Sequence, residues 1–200
     1  MIKINKQIYK LYYDMYFKRN NDRVLDIGCG AGEFLFHCSK DSCGVDIDET
    51  KLNIATENNL NVYKVDIDKQ TLPFDDNYFD IVNTTSTLEH LWNPEMVLKE
   101  IYRVLKTNGK LIARVPNIRY WKWGFYIGTH KTPITKERII YLIESSGLKI
   151  TDIYYSKRGL FGLQKLHDLG ININILKVFK RFCSYFKREQ IMLEAVKENI

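Results

Sequence analysis

The sequence predicts an α/β fold, a doubly wound and mostly parallel sheet with helices on both faces. Short apolar runs of strand length alternate with longer segments of helical spacing, and this alternation is typical of parallel strands joined by crossover helices. The first apolar run, residues 24–27, stops at three glycines spaced two apart, Gly28, Gly30 and Gly32. Because glycine adopts a positive φ and lets a ligand approach the backbone, this segment predicts a ligand-binding turn between a strand and a helix.

The composition indicates one domain over residues 1–200. A chain of 200 residues with 45% hydrophobic and 27% charged residues can bury a single α/β core. No stretch approaches the roughly 20 apolar residues that span a bilayer. The first 19 residues mix Lys, Tyr and Asn without the apolar block of a signal peptide. We therefore expect a cytoplasmic protein, with peripheral membrane contact through its tail as a further interpretation.

Local spacing predicts the elements of the first half of the chain. An amphipathic helix is expected at 5–18 and a strand at 23–27. Residues 34–36 open an apolar face after the glycines, which predicts a helix at 32–40 whose N-terminus would favour a negative group in the turn. The other predicted elements of this half are strands at 42–46 and 61–65 and a helix at 50–58.

Capping residues predict the elements of the second half. Asn93, Pro94 and Glu95 combine a capping side chain, a proline of the first turn and an acid favoured by the helix dipole. They predict a helix at 94–106, and Gly109 and Gly147 mark the ends of later connections. The other predicted elements of this half are strands at 79–83, 110–115, 148–156 and 190–196 and a helix at 136–146.

The glycine spacing does not fit a dinucleotide-binding fingerprint. That fingerprint has the form G-x-G-x-x-G/A, and counting from Gly28 and Gly30 its last position is Glu33. The spacing here is G-x-G-x-G, with Asp26 two residues before it, and a second apolar run contains Asp46, 18 residues after Gly28. An acid at the tip of the second strand can hold two ribose hydroxyls. This combination resembles the class I S-adenosylmethionine-dependent methyltransferases.

The resemblance extends over roughly residues 20–155. Four segments are similar to the family's third strand, its "LPF…FD-V" approach to strand four, its "LEHL" segment and its "RVLKPGG-L-I" segment, namely residues 62–67, 72–82, 88–91 and 103–112. Thr107 and Asn108 stand in place of Pro and Gly in the last of these. The resemblance implies a seven-stranded sheet of order 3-2-1-4-5-7-6 with an antiparallel last strand. Type 11 and type 23 methyltransferases are the similar subgroups.

The resemblance also implies S-adenosylmethionine as the cofactor. In the family, the acid corresponding to Asp66 meets the adenine amino group and the acid corresponding to Asp46 holds the ribose. The residues implied to bind the cofactor are Asp26, Gly28, Cys29, Gly30, Gly32, Asp46, Ile47, Asp66, Ile67 and Asn83. The implied reaction is an in-line displacement at the sulfonium methyl, for which the enzyme brings the acceptor atom into line. The alternative is a protein that keeps the fold as a cofactor-binding scaffold without turnover.

Two histidines, His90 and His130, are the candidates for a catalytic base, with a structural role in capping or packing as the alternative for each. Ubiquinone-pathway O-methyltransferases have an acid-rich version of the "LEHL" segment that can hold a metal. Ser86 stands where the further acid would be needed, so we expect no metal site. The cysteines form no C-x-x-C pair, and we expect His37 and Cys38 to serve packing.

The segment after strand five concerns the methyl acceptor. Residues 120–126 hold five aromatics, and the segment leaves a carboxyl end of the sheet, where ligands bind in doubly wound folds. Its V-P-N-x-x-Y-W pattern resembles small methyltransferases related to methionine biosynthesis protein W and sugar- or lipid-directed relatives. We expect a small-molecule, sugar or lipid-linked acceptor methylated at oxygen. The alternatives for this loop are a hydrophobic hinge or a homodimer contact, and the absence of an Asn/Asp-Pro-Pro-Tyr/Phe segment argues against methylation of DNA bases.

The tail concentrates positive charge. The chain has a formal net charge of +6, and residues 157–189 contain eight basic residues against two acids, Asp168 and Glu189. We expect a basic amphipathic helical insertion at about 160–188, with the helix over 171–188. One face would carry Ile175, Val178, Phe179, Phe182, Tyr185 and Phe186, and the other Lys177, Lys180, Arg181, Lys187 and Arg188. This helix either covers the domain or binds an anionic membrane surface, and the lack of a recognisable motif disfavours nucleic acid.

Overall fold

The structure is a computed structural model. It describes residues 9–17, 21–120, 128–156, 167, 170–184 and 188–199, with the backbone alone at 179–184. Seven strands form one sheet: β1 Val24–Ile27, β2 Cys43–Asp46, β3 Val62–Lys64, β4 Phe79–Thr85, β5 Leu105–Pro116, β6 Lys149–Ser156 and β7 Gln190–Val196. Within this part of the chain the α-helices are α1 Lys10–Tyr16, α2 Glu49–Glu57, α3 Pro94–Val104, α4 Lys136–Ser145 and α5 Ile173–Ser184.

The strand order is β3-β2-β1-β4-β5-β7-β6, which confirms the predicted order. Strands β1 to β5 pair in parallel, and β7 runs antiparallel to both β5 and β6. The predicted doubly wound architecture is therefore correct. It gathers the carboxyl ends of β1, β2, β3 and β4 at one edge of the sheet, where a ligand crevice is expected.

Helices cover both faces of the sheet because side chains alternate along its strands. On β5, Leu111 and Ala113 belong to the main core beneath α3 and α4, whereas Ile112 belongs to the cluster on the other face. That second cluster is aromatic: Tyr12 and Phe17 pack with Phe34 against the sheet. The capping prediction for α3 is correct, since the Asn93 side chain accepts a hydrogen bond from the backbone N–H of Met96.

The predicted helix at 32–40 is wrong. The chain forms only a 3-10 turn at Leu35–His37, so no helix N-terminus faces the glycine turn. Aromatic residues, His, Cys and Ser are poor helix formers. Ser39 instead donates its hydroxyl to the carbonyl oxygen of Asp22, which draws the chain toward β2. No helix dipole therefore favours a negative group in this turn, and any anion there must be held by other groups.

The boundary between α3 and β5 also differs from the prediction. Strand β5 begins at Leu105 rather than near 110, and α3 ends at Val104 rather than 106. Leu105 pairs with Phe79 before a register shift, so the chain passes directly from helix to strand. Helix α1 is described as Lys10–Tyr16, and residues 5–8 and 18 of the predicted helix lie outside the described residues.

The tail helix packs through a different side from the one predicted. Leu176 is 1% exposed and packs with Leu11 and Met15 of α1, whereas Ile175 and Val178 are 61% and 68% exposed. Apolar residues occupy two sides of α5, and the helix buries the side that carries Leu176. Among the described residues, no helix is long and apolar enough to span a membrane.

Candidate cofactor and acceptor site

The glycine turn after β1 is attached to β2. The N–H groups of Gly28 and Cys29 donate to the carbonyl oxygen of Val45 at 2.8 and 3.1 Å. Gly28 has a φ of +76°, and a Cβ there would lie 2.2 Å from the Thr87 Oγ1. At Gly30, with a φ of +55°, a Cβ would meet nothing closer than 3.9 Å. Gly28 is therefore required by packing against Thr87, whereas Gly30 opens onto free space.

The carboxylate of Asp46 holds this turn in place. Its Oδ2 accepts from the backbone N–H of Gly30 at 2.8 Å, and its Oδ1 accepts from the backbone N–H of Asp48 at 2.9 Å. Each carboxylate oxygen has a second lone pair. Asp46 can therefore shape the turn and still accept hydrogen bonds from a ligand, as the predicted role toward ribose hydroxyls requires.

A cavity of 760 Å³ opens at the carboxyl ends of the first strands, within the range of small-molecule sites. Of the residues predicted from the sequence, it is lined by Gly28, Gly30, Asp46, Ile47, Asp66, Ile67 and His90. The lining does not include Asp26, Cys29, Gly32, Asn83 or His130. The described structure therefore brings most of the predicted cofactor residues together around one cavity.

Asp26 and Asn83 form a buried layer under the cavity. Asn83 Nδ2 donates to Asp26 Oδ1 at 2.7 Å, and the Tyr12 hydroxyl donates to Asn83 Oδ1 at 3.0 Å. Asp26 is 4% exposed, and burial raises the pKa of its carboxyl to about 7, against the hydrogen bond from Asn83. Tyr12 was not predicted as part of this group, because no local pattern connects a tyrosine of α1 to the strands.

Cys29 and Gly32 serve the packing of the turn. Cys29 is buried, and burial raises the pKa of its thiol, so it is held as an inert thiol rather than a reactive one. A Cβ on Gly44 would lie 2.7 Å from the Cys29 Sγ, and a Cβ on Gly32 would lie 2.4 Å from the Leu60 Cδ1. Contact of these two residues with the cofactor remains a prediction from the resemblance.

His90 and His130 are brought together beside the cavity. Their ring centroids are 4.7 Å apart in an edge-to-face arrangement. His90 Nδ1 lies 2.9 Å from the carbonyl oxygen of Thr129. Because a carbonyl oxygen only accepts, Nδ1 must carry the proton, and in the neutral ring Nε2 is then the nitrogen with a free lone pair. His90 lines the cavity, whereas His130 lies behind it.

Glu89 lies next to the two histidines and was not singled out by the sequence analysis as a site residue. It is buried, its Oε2 has no hydrogen-bond partner among the described residues, and burial raises the pKa of its carboxyl to about 7. Ligand atoms of Glu89, His90 and His130 lie within 4.8 Å of one another, so this group could hold a metal ion. We expected no metal site because of Ser86. The position of His130 beside Glu89 and His90 was not part of that prediction.

The loop that carries His130 is attached to the 3-10 turn at Leu88–His90 by backbone hydrogen bonds. The N–H groups of Lys131 and Thr132 both donate to the carbonyl oxygen of Glu89, at 2.8 and 3.1 Å. The Thr132 hydroxyl also donates to the carbonyl oxygen of Leu91. Residues 121–127, which contain four of the five aromatics at 120–126, lie outside the described residues. Gly128 and Thr129, which follow them, line the cavity.

Trp92 forms an exposed aromatic wall at the rim of the cavity. Its side chain is 74% exposed, and its backbone N–H donates to Asp68 Oδ1 at 2.9 Å. Lys131 Nζ lies 3.6 Å from Asp68 Oδ2 and 5.1 Å from the Trp92 ring centroid. Trp92, Asp68 and Lys131 were not predicted as a group, although a tryptophan directly after the "LEHL" segment was a visible signal.

Comparisons with known proteins find methyltransferases among the similar sequences. The family model described as "Methyltransferase domain" matches residues 25–113. An uncharacterized protein of Methanocaldococcus jannaschii is 35% identical over 217 aligned positions, covering 92% of this chain and 85% of that protein. The ubiquinone biosynthesis O-methyltransferase of Coxiella burnetii is 26% identical over 186 positions, covering 80% of this chain and 79% of that enzyme.

Other relatives match over part of their length. The demethylmenaquinone methyltransferase of Staphylococcus carnosus is 31% identical over 121 positions, and the match covers 54% of this chain and 50% of that enzyme. A second uncharacterized protein of M. jannaschii is 42% identical over 94 positions, which cover 47% of this chain and 40% of that protein. The chain therefore spans half or less of the length of these two relatives.

Solved structures share the whole fold. An S-adenosylmethionine-dependent methyltransferase from Archaeoglobus fulgidus superposes with a TM-score of 0.69 at 28% identity, covering 93% of this chain and 90% of that one. The [4+2]-cyclase SpnF superposes with a TM-score of 0.70 at 22% identity, covering 96% and 80%. At that identity the second comparison shows the fold alone.

Proposed function

Because this chain belongs to the class I S-adenosylmethionine-dependent methyltransferases, we propose that it methylates a hydroxyl oxygen of a small-molecule, sugar or lipid-linked acceptor. The observation that carries the proposal is the position of His90. It lines the cavity, and its Nδ1–H is held by the Thr129 carbonyl oxygen. Its Nε2 is thereby left as a proton acceptor. A hydroxyl needs such an acceptor when its oxygen attacks a methyl group.

The residues around His90 support the same assignment. Asp46 would hold the cofactor ribose while it fixes the N–H of Gly30, and Ile47 and Ile67 offer apolar contacts in the same cavity. When bound, S-adenosylmethionine supplies an electrophilic methyl group on a sulfonium. His90 would take the hydroxyl proton as the oxygen–methyl bond forms and the sulfur–methyl bond breaks.

The acceptor class is supported by the shape of the rim and by the relatives' names. The exposed face of Trp92 and the adjacent Lys131 Nζ can contact a planar or sugar-like acceptor with some negative charge. The Coxiella relative is named an O-methyltransferase and the Staphylococcus relative a demethylmenaquinone methyltransferase. Both names support an acceptor made in small-molecule metabolism.

The test is transfer of a radioactive methyl group from S-adenosylmethionine to aqueous and lipid fractions of the source cells. Mass spectrometry then identifies the labelled product. We expect His90→Gln to lower kcat by roughly 10² to 10⁴-fold and to leave the dissociation constant of S-adenosylhomocysteine, measured by calorimetry, unchanged. The matched control is His167→Gln, because His167 pairs with Asp14 on α1 and does not line the cavity.

Three outcomes would contradict the proposal. If the protein binds the cofactor but labels nothing in any fraction, the scaffold alternative is the better account. If His90→Gln retains full kcat, His90 is not the base. If a chelator abolishes activity and a divalent cation restores it, the group formed by Glu89, His90 and His130 acts through a metal rather than as a base.

A further inference from the structure

The outer side of α5 is an apolar surface without a protein partner among the described residues. Leu176 faces α1 and is buried against Leu11 and Met15. Ile175 and Val178, three residues apart, are 61% and 68% exposed. Residues spaced in this way share one side of a helix, and in the sequence Phe179 and Phe182 continue the same spacing. Exposed apolar side chains on one side of a helix mark a candidate contact surface.

Basic residues are concentrated in the segment of sequence that contains α5. Residues 157–189 contain eight Lys and Arg residues and two acids, while the whole chain has a net charge of +6. On α5 itself, Lys177 Nζ lies 5.7 Å from the ring centroid of Tyr16 on α1. Lys180 and Arg181 follow in the sequence of the same helix.

We propose that α5 docks on a membrane surface rich in anionic lipids, with Ile175 and Val178 inserted among the acyl chains. A helix with apolar residues on one face and basic residues on the other lies in the plane of such an interface. Each Lys or Arg near an anionic surface adds to the attraction. The contact goes beyond methyl transfer and does not depend on which acceptor is methylated.

The charge pattern favours this occupant over two others. A second copy of the chain on the same surface would bring two basic segments together, and like charges across an interface repel. A nucleic acid would pair with the basic residues, but it would leave Ile175 and Val178 exposed to water. An anionic bilayer satisfies both the charged and the apolar groups of α5.

The experiment is sedimentation of the full chain with vesicles of phosphatidylserine and phosphatidylcholine, beside vesicles of phosphatidylcholine alone. We expect binding to the anionic vesicles only, weakened by high salt. Ile175→Glu combined with Val178→Glu should lower the partition coefficient by about tenfold or more, since two inserted aliphatic side chains are lost. Lys177→Glu combined with Lys180→Glu should also weaken binding.

The matched control is Tyr141→Glu, which places a carboxylate on a 62% exposed residue of α4. It should bind vesicles as the wild type does, and circular dichroism and cofactor binding confirm that each variant is folded.

The proposal would be overturned if the full chain did not sediment with anionic vesicles. It would also be overturned if the wild type and the Ile175→Glu, Val178→Glu variant bound these vesicles equally. A dimer in ultracentrifugation that this double substitution dissociates would assign the surface to a second copy instead. Vesicle binding does not require methyl transfer, so a negative result in sedimentation is distinguishable from failure of the proposed methyltransferase function.

Discussion

Asp26→Asn is expected to stabilise the cofactor-free protein at neutral and alkaline pH. Asp26 is buried beneath the cavity, and burial raises the pKa of its carboxyl to about 7 from 3.8. The folded state therefore holds a proton that the unfolded chain releases between about pH 4 and pH 7. The contribution of Asp26 to stability is most favourable below about pH 4, decreases as the pH rises to about 7 and is constant above that.

The magnitude follows from the size of the shift. A difference of about 3 pH units at about 1.4 kcal/mol per unit gives an upper bound of about 4 kcal/mol. The asparagine keeps an oxygen that can accept from Asn83 Nδ2, so the existing hydrogen bond of 2.7 Å has a replacement. We therefore expect the free energy of unfolding of the variant, minus that of the wild type, to rise by about 2–4 kcal/mol from about pH 4.5 to about pH 8.

The assay is urea unfolding without cofactor, followed by tryptophan fluorescence across this pH range. Asp80→Asn is the control. Burial opposes the charge of Asp80, but hydrogen bonds from Lys106 Nζ and the Arg23 N–H outweigh burial and lower its pKa. Asp80 therefore titrates below this pH range. The difference in free energy of unfolding between Asp80→Asn and the wild type should not change with pH. A pH-independent difference for Asp26→Asn would refute the argument that burial controls this carboxyl.

Three other substitutions test the tip of β2, the glycine turn and the segment that follows β7. Asp46→Ala should weaken cofactor binding, measured by calorimetry, by about tenfold or more, because charge-assisted hydrogen bonds are worth about 1.5–3 kcal/mol each. The control Asp41→Ala, near the other end of β2, should leave the cofactor affinity unchanged. Gly28→Ala should destabilise the fold in thermal unfolding, because its Cβ would lie 2.2 Å from Thr87 Oγ1; adding Thr87→Ala should restore part of the loss, and a purely additive effect would argue against the clash. Lys197→Met should lower the free energy of unfolding by about 2–4 kcal/mol. The reason is that Lys197 Nζ donates hydrogen bonds to Asn77 Oδ1 and to the carbonyl oxygens of Tyr102 and Leu105. The control Lys149→Met breaks only an exposed ion pair with Glu198 and should change the free energy of unfolding by less than about 0.5 kcal/mol.

The sheet and much of the cavity could be predicted because both follow from local patterns. Apolar runs identified the strands, and the carboxyl ends of parallel strands meet at one edge. Gly28, Gly30, Asp46 and Asp66 stand at or just after such ends, so their convergence follows from the topology. Contact of these residues with the cofactor stays a prediction, and so does contact of Asp26 and Asn83, which lie beneath the cavity.

The parts that could not be predicted depend on long-range contacts or on ambiguous periodicity. His130 reaches Glu89 because two backbone N–H groups of its loop donate to one carbonyl oxygen about 40 residues earlier in the chain, and no sequence period records such a contact. The segment at 32–40 has apolar residues with helical spacing but poor helix formers, so the spacing gave the wrong element. On α5, apolar residues at two sets of positions satisfy the helical period, and only packing decides which set is buried.

The place of β7 in the sheet has a consequence for synthesis on the ribosome. Strand β7 lies between β5 and β6, although β6 is made first. Until residues 190–196 have emerged, the growing chain carries a completed β5 with an open edge and a β6 without its neighbour. Open strand edges template association between chains, and translation adds only about 5–20 residues per second. A pause within the tail would therefore prolong the interval in which the nascent chain needs a chaperone.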